Sequence, residues 1–282
     1  MSISMSINLI LLILSPVFAL LANGIFRKAF ARFQCRKGPP IIQPFYDMMK
    51  LWKKKRAEAE ESKNIVFYAG LFLALFFLII LYSIFFGIIS FDHDFILFIY
   101  LLVSIEVAII CSAFASKNAF SYVGSMRELV LMIGYELIIA FSIINIMGVS
   151  GETSIFSIES SAISFPLSAF LLFISGFAVL RITPFDTVNA HTEISSGMPS
   201  EYSGKLLMMY YFAERLKEFI YCIFLSKIII GWNMFTPIIA VILIIIYALM
   251  NASSARYSFL EASKRLFLMA IISFINLGWI GL

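Results

Sequence analysis

The chain of 282 residues is 61% hydrophobic and only 13% charged, with a mean hydropathy of +0.97 and a formal net charge of +4. Soluble domains carry about 25% charged residues, so this composition excludes an ordinary water-soluble protein and predicts that lipid is the main solvent. The basic residues flank apolar stretches and do not form a patch interleaved with aromatic residues, which excludes a nucleic-acid partner.

Eight apolar stretches approach the length of about 20 residues that a membrane-spanning helix needs. They are Ile7–Phe26, Ile65–Ile89, Phe95–Ala115, Leu129–Met147, Ile163–Ile182, Leu207–Ile230, Phe235–Met250 and Leu266–Leu282. The first stretch lacks a preceding basic segment and a small-residue cleavage site, so it is interpreted as a span and not as a signal peptide. We therefore expect an all-α, polytopic membrane protein that forms a single domain over residues 1–282.

The basic residues also predict the orientation of the chain in the membrane. Only three of the 21 lysines and arginines, Arg215, Lys217 and Lys227, lie inside a span. The other eighteen lie in or at the edges of loops on one side, and the opposite side has none. Because cytoplasmic loops are enriched in Lys and Arg, we expect a plasma-membrane protein with its long basic loops in the cytoplasm and both termini outside.

The loop after the first span contains a predicted amphipathic surface helix. Gly38-Pro39-Pro40 indicates a turn, and after Pro44 apolar residues recur at helical spacing opposite polar ones. The apolar set is Phe45, Met48, Met49 and Trp52, and the polar set is Asp47, Lys50 and Lys53. Such a helix lies on the membrane surface with Lys and Trp at the interface. Docking of a soluble partner and simple anchoring to lipid headgroups are both open at this point.

The loop after the fifth span collects four acidic or imidazole groups, Asp186, His191, Glu193 and Glu201. Acidic groups at the cytoplasmic mouth of a proton route are one interpretation, and a solvated capping loop is the other. Metal binding by His191 and Glu193 is disfavoured because residues two apart on a helix do not face each other and no third ligand is close in sequence.

Five carboxylates lie in or at the edge of predicted spans: Glu106, Glu128, Glu136, Glu214 and Glu218. A carboxylate in hydrocarbon costs about 2.5–3.5 kcal/mol, so these groups need partners or a role in charge movement. Arg127 and Glu128 are predicted to open the fourth span as an interfacial pair. Glu136, two turns further in, has no charged neighbour within one turn, so it requires a partner on another helix or a proton.

Glu106 lies in the middle of the third span, where a structural hydrogen bond between helices is the alternative to ion transport. In the sixth span, Glu214, Arg215, Lys217 and Glu218 occupy little more than one turn. Pairs at this spacing lower the cost of burial. They predict either a wall of a wet channel or a purely structural ion cluster.

Taken in order, four stretches resemble one family. They are Arg36–Leu51, Ser116–Glu136 ending in Gly-Tyr-Glu, Pro184-Phe185-Asp186 through Glu193 to Glu201-Tyr202-Ser203-Gly204, and Ala213-Glu214. The family is the subunit that anchors the peripheral arm in respiratory complex I (the H subunit of bacteria) and in energy-converting membrane-bound nickel–iron hydrogenases. The short interval from Gly38-Pro39 to Gln43-Pro44 resembles the hydrogenase branch. Asn189 and His191 stand where the family often has Glu, which weakens the case for a quinone pocket.

The resemblance implies a non-catalytic subunit of an oxidoreductase complex, with an amphipathic surface helix and about eight membrane helices. It would hold the electron-transferring arm and couple the redox reaction, from ferredoxin to protons or a sulfur compound, to H⁺ or Na⁺ translocation. The ion path would comprise Glu106, Glu128, Glu136, Asp186, Glu193, Glu201, Glu214 and Glu218, supported by Arg127, Arg181, Arg215 and Lys217. The docking region would comprise Arg36, Gln43, Pro44, Asp47, Lys50 and Trp52.

The same resemblance implies which groups the partners carry. This chain would hold no cofactor or metal, since it has no cysteine cluster and no paired axial histidines, whereas iron–sulfur clusters and a nickel–iron centre would lie in hydrogenase-like large and small subunits. Antiporter-like membrane subunits and lipid would be the other partners. Two alternatives stay open: a quinone-reducing subunit of the complex I type, with quinone between the loops after the first and fifth spans, and a stand-alone secondary transporter.

Overall fold

The chain forms a bundle of long helices. The computed structural model describes residues 2–55, 64–89, 91–151, 154–155, 165–188, 195–231 and 236–278, with side chains from residue 8 onward. The helices are α1 (Ser2–Phe33), α2 (Gln43–Lys53), α3 (Ile65–Phe85), α4 (Asp94–Ala115), α5 (Ala119–Ser150), α6 (Pro166–Val179), α7 (Gly204–Ile230), α8 (Thr236–Ser253) and α9 (Phe259–Gly278), with a 3₁₀ turn at Met198–Glu201. No strand occurs within these ranges.

Each of the eight predicted spans coincides with one long helix, and α2 is the predicted surface helix. Five helices, α1, α3, α4, α5 and α8, are long and apolar enough to cross a membrane. Of the others, α6 is apolar but shorter, and α7 and α9 carry charged residues. The all-α, polytopic fold class is confirmed.

Three predicted boundaries are wrong by one or more turns. Helix α5 begins at Ala119, because the Asn118 side chain accepts a hydrogen bond from the Phe120 N–H at 2.8 Å and caps the helix. Arg127 and Glu128 therefore lie more than two turns inside α5 and do not open it. Helix α1 continues to Phe33, and α9 begins at Phe259, so several basic residues assigned to loops belong to helix ends.

Helix α7 lies at the centre of the bundle, in contact with α1, α2, α3, α6 and α8. Its side chains reach α4 as well, since the Phe224 ring stacks on Phe98 with centroids 4.3 Å apart. The Tyr82 hydroxyl of α3 donates to the Leu216 carbonyl of α7 at 2.8 Å. This central position explains why the most highly charged long helix is largely buried: its charges face other helices and not lipid.

Helix α2 lies against α1 and α7. Pro44 at its start is buried, while Tyr46, Met49 and Trp52 are more than half exposed and form its outer apolar face. Asp47, which the pattern assigned to the polar outer side, instead faces α1 and pairs with Arg27. Gly24 permits this close approach, because a Cβ atom there would overlap the carbonyl oxygen of Ile41.

Candidate functional site

The centre of the bundle holds a buried arginine bonded to three carboxylates. Arg181 follows the end of α6 in a left-handed conformation (φ 50°), and its side chain is 6% exposed. Its Nη2 lies 2.9 Å from Glu106 Oε2 and 3.1 Å from Glu128 Oε1, and its Nη1 contacts Glu214. Nη1 also donates to the Tyr210 hydroxyl at 2.8 Å. The planar guanidinium thus joins α4, α5 and α7.

Further charged residues of α7 extend this arrangement. The Lys217 ammonium pairs with Glu106, and both side chains are almost fully buried. Arg215 Nη1 lies 2.7 Å from Glu218 Oε2, and its Nη2 lies 3.7 Å from Glu214 Oε2. We call these residues the charge network, which comprises Glu106, Glu128, Arg181, Glu214, Arg215, Lys217 and Glu218.

Every member of the network is a residue that the sequence had singled out. The spacing predicted pairs within the sixth span, and Arg215 does pair with Glu218 and Glu214 inside α7. The pairs between elements were not predicted: Lys217 bonds Glu106, and Glu214 also bonds Arg181. The network contains four carboxylates and three cations, so one carboxylate is in formal excess when all of them are ionised. One added proton would make the network formally neutral.

Glu136 lies near the network without belonging to it. It directly follows Tyr135, whose hydroxyl donates to Glu128 Oε1 at 3.3 Å. Glu136 is 8% exposed, and its Oε2 has no hydrogen-bond partner within the described residues. A buried carboxylate is costly unless it is paired or protonated, so this position suits a group that gains and loses a proton. Sequence reasoning missed Tyr135 and Tyr210, because buried tyrosines in an apolar span carry no distinct signal.

The two described acids of the predicted loop, Asp186 and Glu201, pair with residues outside the network. Asp186 Oδ2 pairs with Arg256 Nη2 at 2.7 Å, and Glu201 accepts a hydrogen bond from Asn118. Arg127, predicted to support the path, donates to the Thr187 carbonyl at 3.2 Å. These contacts hold the loop to α5 and to the segment before α9. Glu193 and His191 lie outside the described residues.

The predicted docking residues lie along α2, except Arg36, which precedes it. Gln43 Nε2 and Arg27 Nη1 both bond the Asp47 carboxylate, at 3.1 Å and 2.7 Å. Burial raises the pKa of Asp47, but these two hydrogen bonds lower it by more, so its pKa lies below the ordinary value. Arg36 and Lys50 are exposed. The Lys205 ammonium lies 4.9 Å from the centroid of a Trp52 ring.

A cavity of about 550 Å³ lies between α1, α2 and α7. Its lining includes Phe26, Asp47, Met48, Tyr211 and Arg215. Because Arg215 also bonds Glu218, the cavity borders directly on the charge network. Neither the cavity nor the network resembles a metal centre, and among the described residues no group of three or more His, Cys, Asp or Glu side chains could hold a metal ion.

The fold and the site together define the class of this chain: a polytopic α-helical membrane protein with a buried carboxylate–arginine network. The family model described as NADH dehydrogenase matches residues 5–281. The chain therefore belongs to the NADH dehydrogenase family, whose members include the H subunit of complex I, as the sequence resemblance indicated.

Two relatives and one solved structure illustrate this similarity. NADH-ubiquinone oxidoreductase chain 1 of Papio hamadryas is 30% identical over 74% of this chain and 71% of its own length. The H subunit of the NADH-quinone oxidoreductase of Bacteroides fragilis is also 30% identical, over 80% of this chain and 69% of its own length. A chain in the structure of an archaeal membrane-bound sulfane sulfur reductase matches with a TM-score of 0.86 and 23% sequence identity. The match covers 96% of this chain and 98% of that chain. At this identity, the likeness concerns the fold.

Proposed function

We propose that this chain is the membrane-embedded anchor subunit of a multi-subunit respiratory complex, in which it holds the electron-transfer arm and couples the redox reaction to ion translocation. The observation that carries the proposal is the charge network buried at the centre of a membrane bundle. Family membership supports the role as a subunit of a respiratory complex, because the relatives are named as parts of oxidoreductases.

The network fits coupling because its charges are connected in one chain across four structural elements. A change of charge beside the cavity acts first on Arg215, which pairs with Glu214 and Glu218. Glu214 in turn contacts Arg181, which pairs with the carboxylates of α4 and α5. Since buried charges interact through a low dielectric, moving one proton shifts the energy of every other group. A redox event beside the cavity is thereby able to move charge deeper in the bundle.

The basic face around α2 fits the docking of a soluble arm. Arg36 and Lys50 are exposed, and α2 packs against α1 and α7, which leaves its outer face available to a soluble partner. We propose hydrogenase-like large and small subunits as the arm and antiporter-like subunits as membrane neighbours. We propose ferredoxin as donor, and protons or a sulfur compound as acceptor, because the short Gly38–Gln43 interval resembles the hydrogenase branch.

A quinone-reducing function of the complex I type is the second candidate, and the cavity favours it. Its volume of about 550 Å³ lies within the range of about 300–1,000 Å³ for small-molecule sites. Its lining combines aromatic residues with Arg215 and Asp47. Quinone would enter between α1 and α2, with its headgroup towards Arg215.

Purification of the tagged chain in mild detergent, followed by metal analysis, separates these candidates and the transporter alternative. Nickel and iron together support a hydrogenase-type arm. Iron without nickel supports a sulfur- or quinone-reducing relative, which activity with a short-chain quinone then resolves. A chain that purifies alone, without either metal, contradicts the anchor function and favours a stand-alone transporter.

The coupling role is tested by Glu136→Gln in the purified complex. We expect normal assembly, because the amide keeps the size of the side chain and removes a costly carboxylate, but ion translocation should fall at least tenfold. Glu261→Gln, an exposed acid in the first turn of α9, is the matched control. Gradient formation in reconstituted vesicles is the measurement, and a normal gradient with Glu136→Gln would remove Glu136 from the path.

A further inference from the structure

The end of the bundle opposite to α2 contains a second pair of buried charges that the charge network does not include. Asp94, the first residue of α4, is fully buried. Its Oδ1 accepts from the Phe91 N–H at 2.9 Å, and its Oδ2 accepts from the Ser154 hydroxyl at 3.3 Å. Lys227, near the end of α7, is 2% exposed and interacts electrostatically with Asp94.

This pair repeats the arrangement of Glu106 and Lys217 on the same two helices. Helices α4 and α7 run antiparallel, since Glu106 contacts Lys217 while Phe98, eight residues earlier, stacks on Phe224, seven residues later. At 1.5 Å per residue, the two acids are about 18 Å apart along α4 and the two lysines about 15 Å apart along α7. The helix pair thus carries an acid and a lysine at two levels, as a salt bridge deep in the bundle and as Asp94 and Lys227 at its far end.

An aromatic barrier separates the two contacts. Phe98 of α4 stacks on Phe224 of α7 with centroids 4.3 Å apart and planes 27° apart, and Phe95 meets the same ring edge-on at 6.4 Å. All three rings are buried. These rings place apolar surface between the two acid–lysine levels, where water finds no polar partner.

The far pair lies directly beneath the surface. Asp92 and His93, the residues immediately before Asp94, are exposed. The positive-inside pattern predicts that this end faces the outer side of the membrane, since the loops there carry no lysine or arginine. A buried acid one residue below exposed loop positions is well placed to exchange with outside water.

We propose that Asp94 and Lys227 form the outer exchange site at which a proton leaves this protein, with the Phe98–Phe224 stack as the barrier that it must pass. This inference rests on the coupling function proposed above and assigns its outer end. A proton fits better than Na⁺, because a hard cation requires several oxygen ligands, whereas the Asp94 carboxylate is bonded by an N–H donor and an O–H donor.

The test uses the whole complex reconstituted in vesicles, driven by reduced ferredoxin in sodium-free buffer, with a pH-sensitive dye inside. The variant is Asp94→Asn combined with Lys227→Gln, which removes the pair without leaving one buried charge alone. We expect the arm to remain bound and proton uptake per electron to fall at least tenfold. Asp92→Asn, an exposed acid two residues away, is the matched control and should behave like the wild type.

Normal proton uptake by the double variant, with Glu136→Gln still inactive, would overturn the outer site while preserving the coupling function. Normal uptake by both would overturn the coupling function itself, and absence of uptake by the wild type in sodium-free buffer would overturn the assignment to protons. If the double variant does not assemble, the Phe98→Leu variant provides the test. Its passive proton leak, measured without electron donor, should be several-fold faster than that of the wild type, and an unchanged leak would contradict the barrier.

Discussion

Arg181 is the residue on which the charge network depends most. It bonds Glu106, Glu128 and Glu214, which come from three different helices, and it does so with a side chain that is 6% exposed. Without its guanidinium, these carboxylates would face one another in a buried space. A single residue at the end of α6 therefore holds α4, α5 and α7 in one electrostatic unit.

We expect Arg181→Met to destabilise the fold by about 3–5 kcal/mol, because breaking a buried ion pair leaves uncompensated charge. Arg256→Met is the control, since its pair with Asp186 is partly exposed and contributes about 0–1 kcal/mol. Thermal unfolding of the purified chain in detergent measures both. Equal, small shifts for the two variants would show that the three carboxylates are protonated or solvated, contrary to a charged network.

The sequence predicted which charged residues are buried, but not the partners that they bond across the bundle. The buried carboxylates could be found from the sequence because their cost in hydrocarbon makes any such residue conspicuous. The pairing could not, because it depends on how four separate elements pack. Arg181 had the features of an ordinary basic residue at a loop edge, and Asp94 had those of a helix-capping acid, until the fold placed each beside its partners.

At the scale of elements, hydropathy located all eight long helices but not their ends. The start of α5 is set by the Asn118 cap, a local hydrogen bond that hydropathy does not detect. The orientation of α2 escaped prediction for a different reason. Its two sides face protein and membrane, which are both apolar, so the pattern alone did not reveal that Asp47 faces α1. Arg27, twenty residues earlier, determines that orientation.

The contact between α1 and α2 should withstand mild acid. Because the pKa of Asp47 lies below its ordinary value of 3.8, the stabilisation by Arg27 and Gln43 is fully present above that value and is lost as the pH falls through the lower pKa of the folded state. Its size is about 0–1 kcal/mol, since both side chains are 42% exposed. The fluorescence of Trp52, with Trp232 and Trp279 changed to Phe, should stay constant from pH 7 to pH 5 and change below pH 4.

Asp47→Asn serves as the control for this titration, because it removes the ionisable group while keeping a hydrogen-bonding side chain. Its fluorescence should lack the step below pH 4. A step above pH 5 in the parent chain would mean that Asp47 is not held as a carboxylate by Arg27, and the docking of α2 would then need another explanation.

For the whole molecule, the two charge centres lie at different depths of the same bundle. The charge network is reached from the cavity beside α2, and the Asp94–Lys227 pair is reached from the opposite end. This arrangement requires that the two ends face different compartments. The orientation of the chain is therefore part of the proposed mechanism and not only a matter of localisation.

Both termini should be accessible from outside the cell. Eight membrane crossings bring the chain back to the side on which it began, and the absence of basic residues on the outer side favours this orientation. A peptide tag at either end should be cleaved by external protease in intact cells, whereas a tag inserted between residues 56 and 63 should be protected. Cleavage at only one terminus would mean an odd number of crossings, and cleavage of the inserted tag alone would place the network's cavity, and any arm docked beside it, on the outer face.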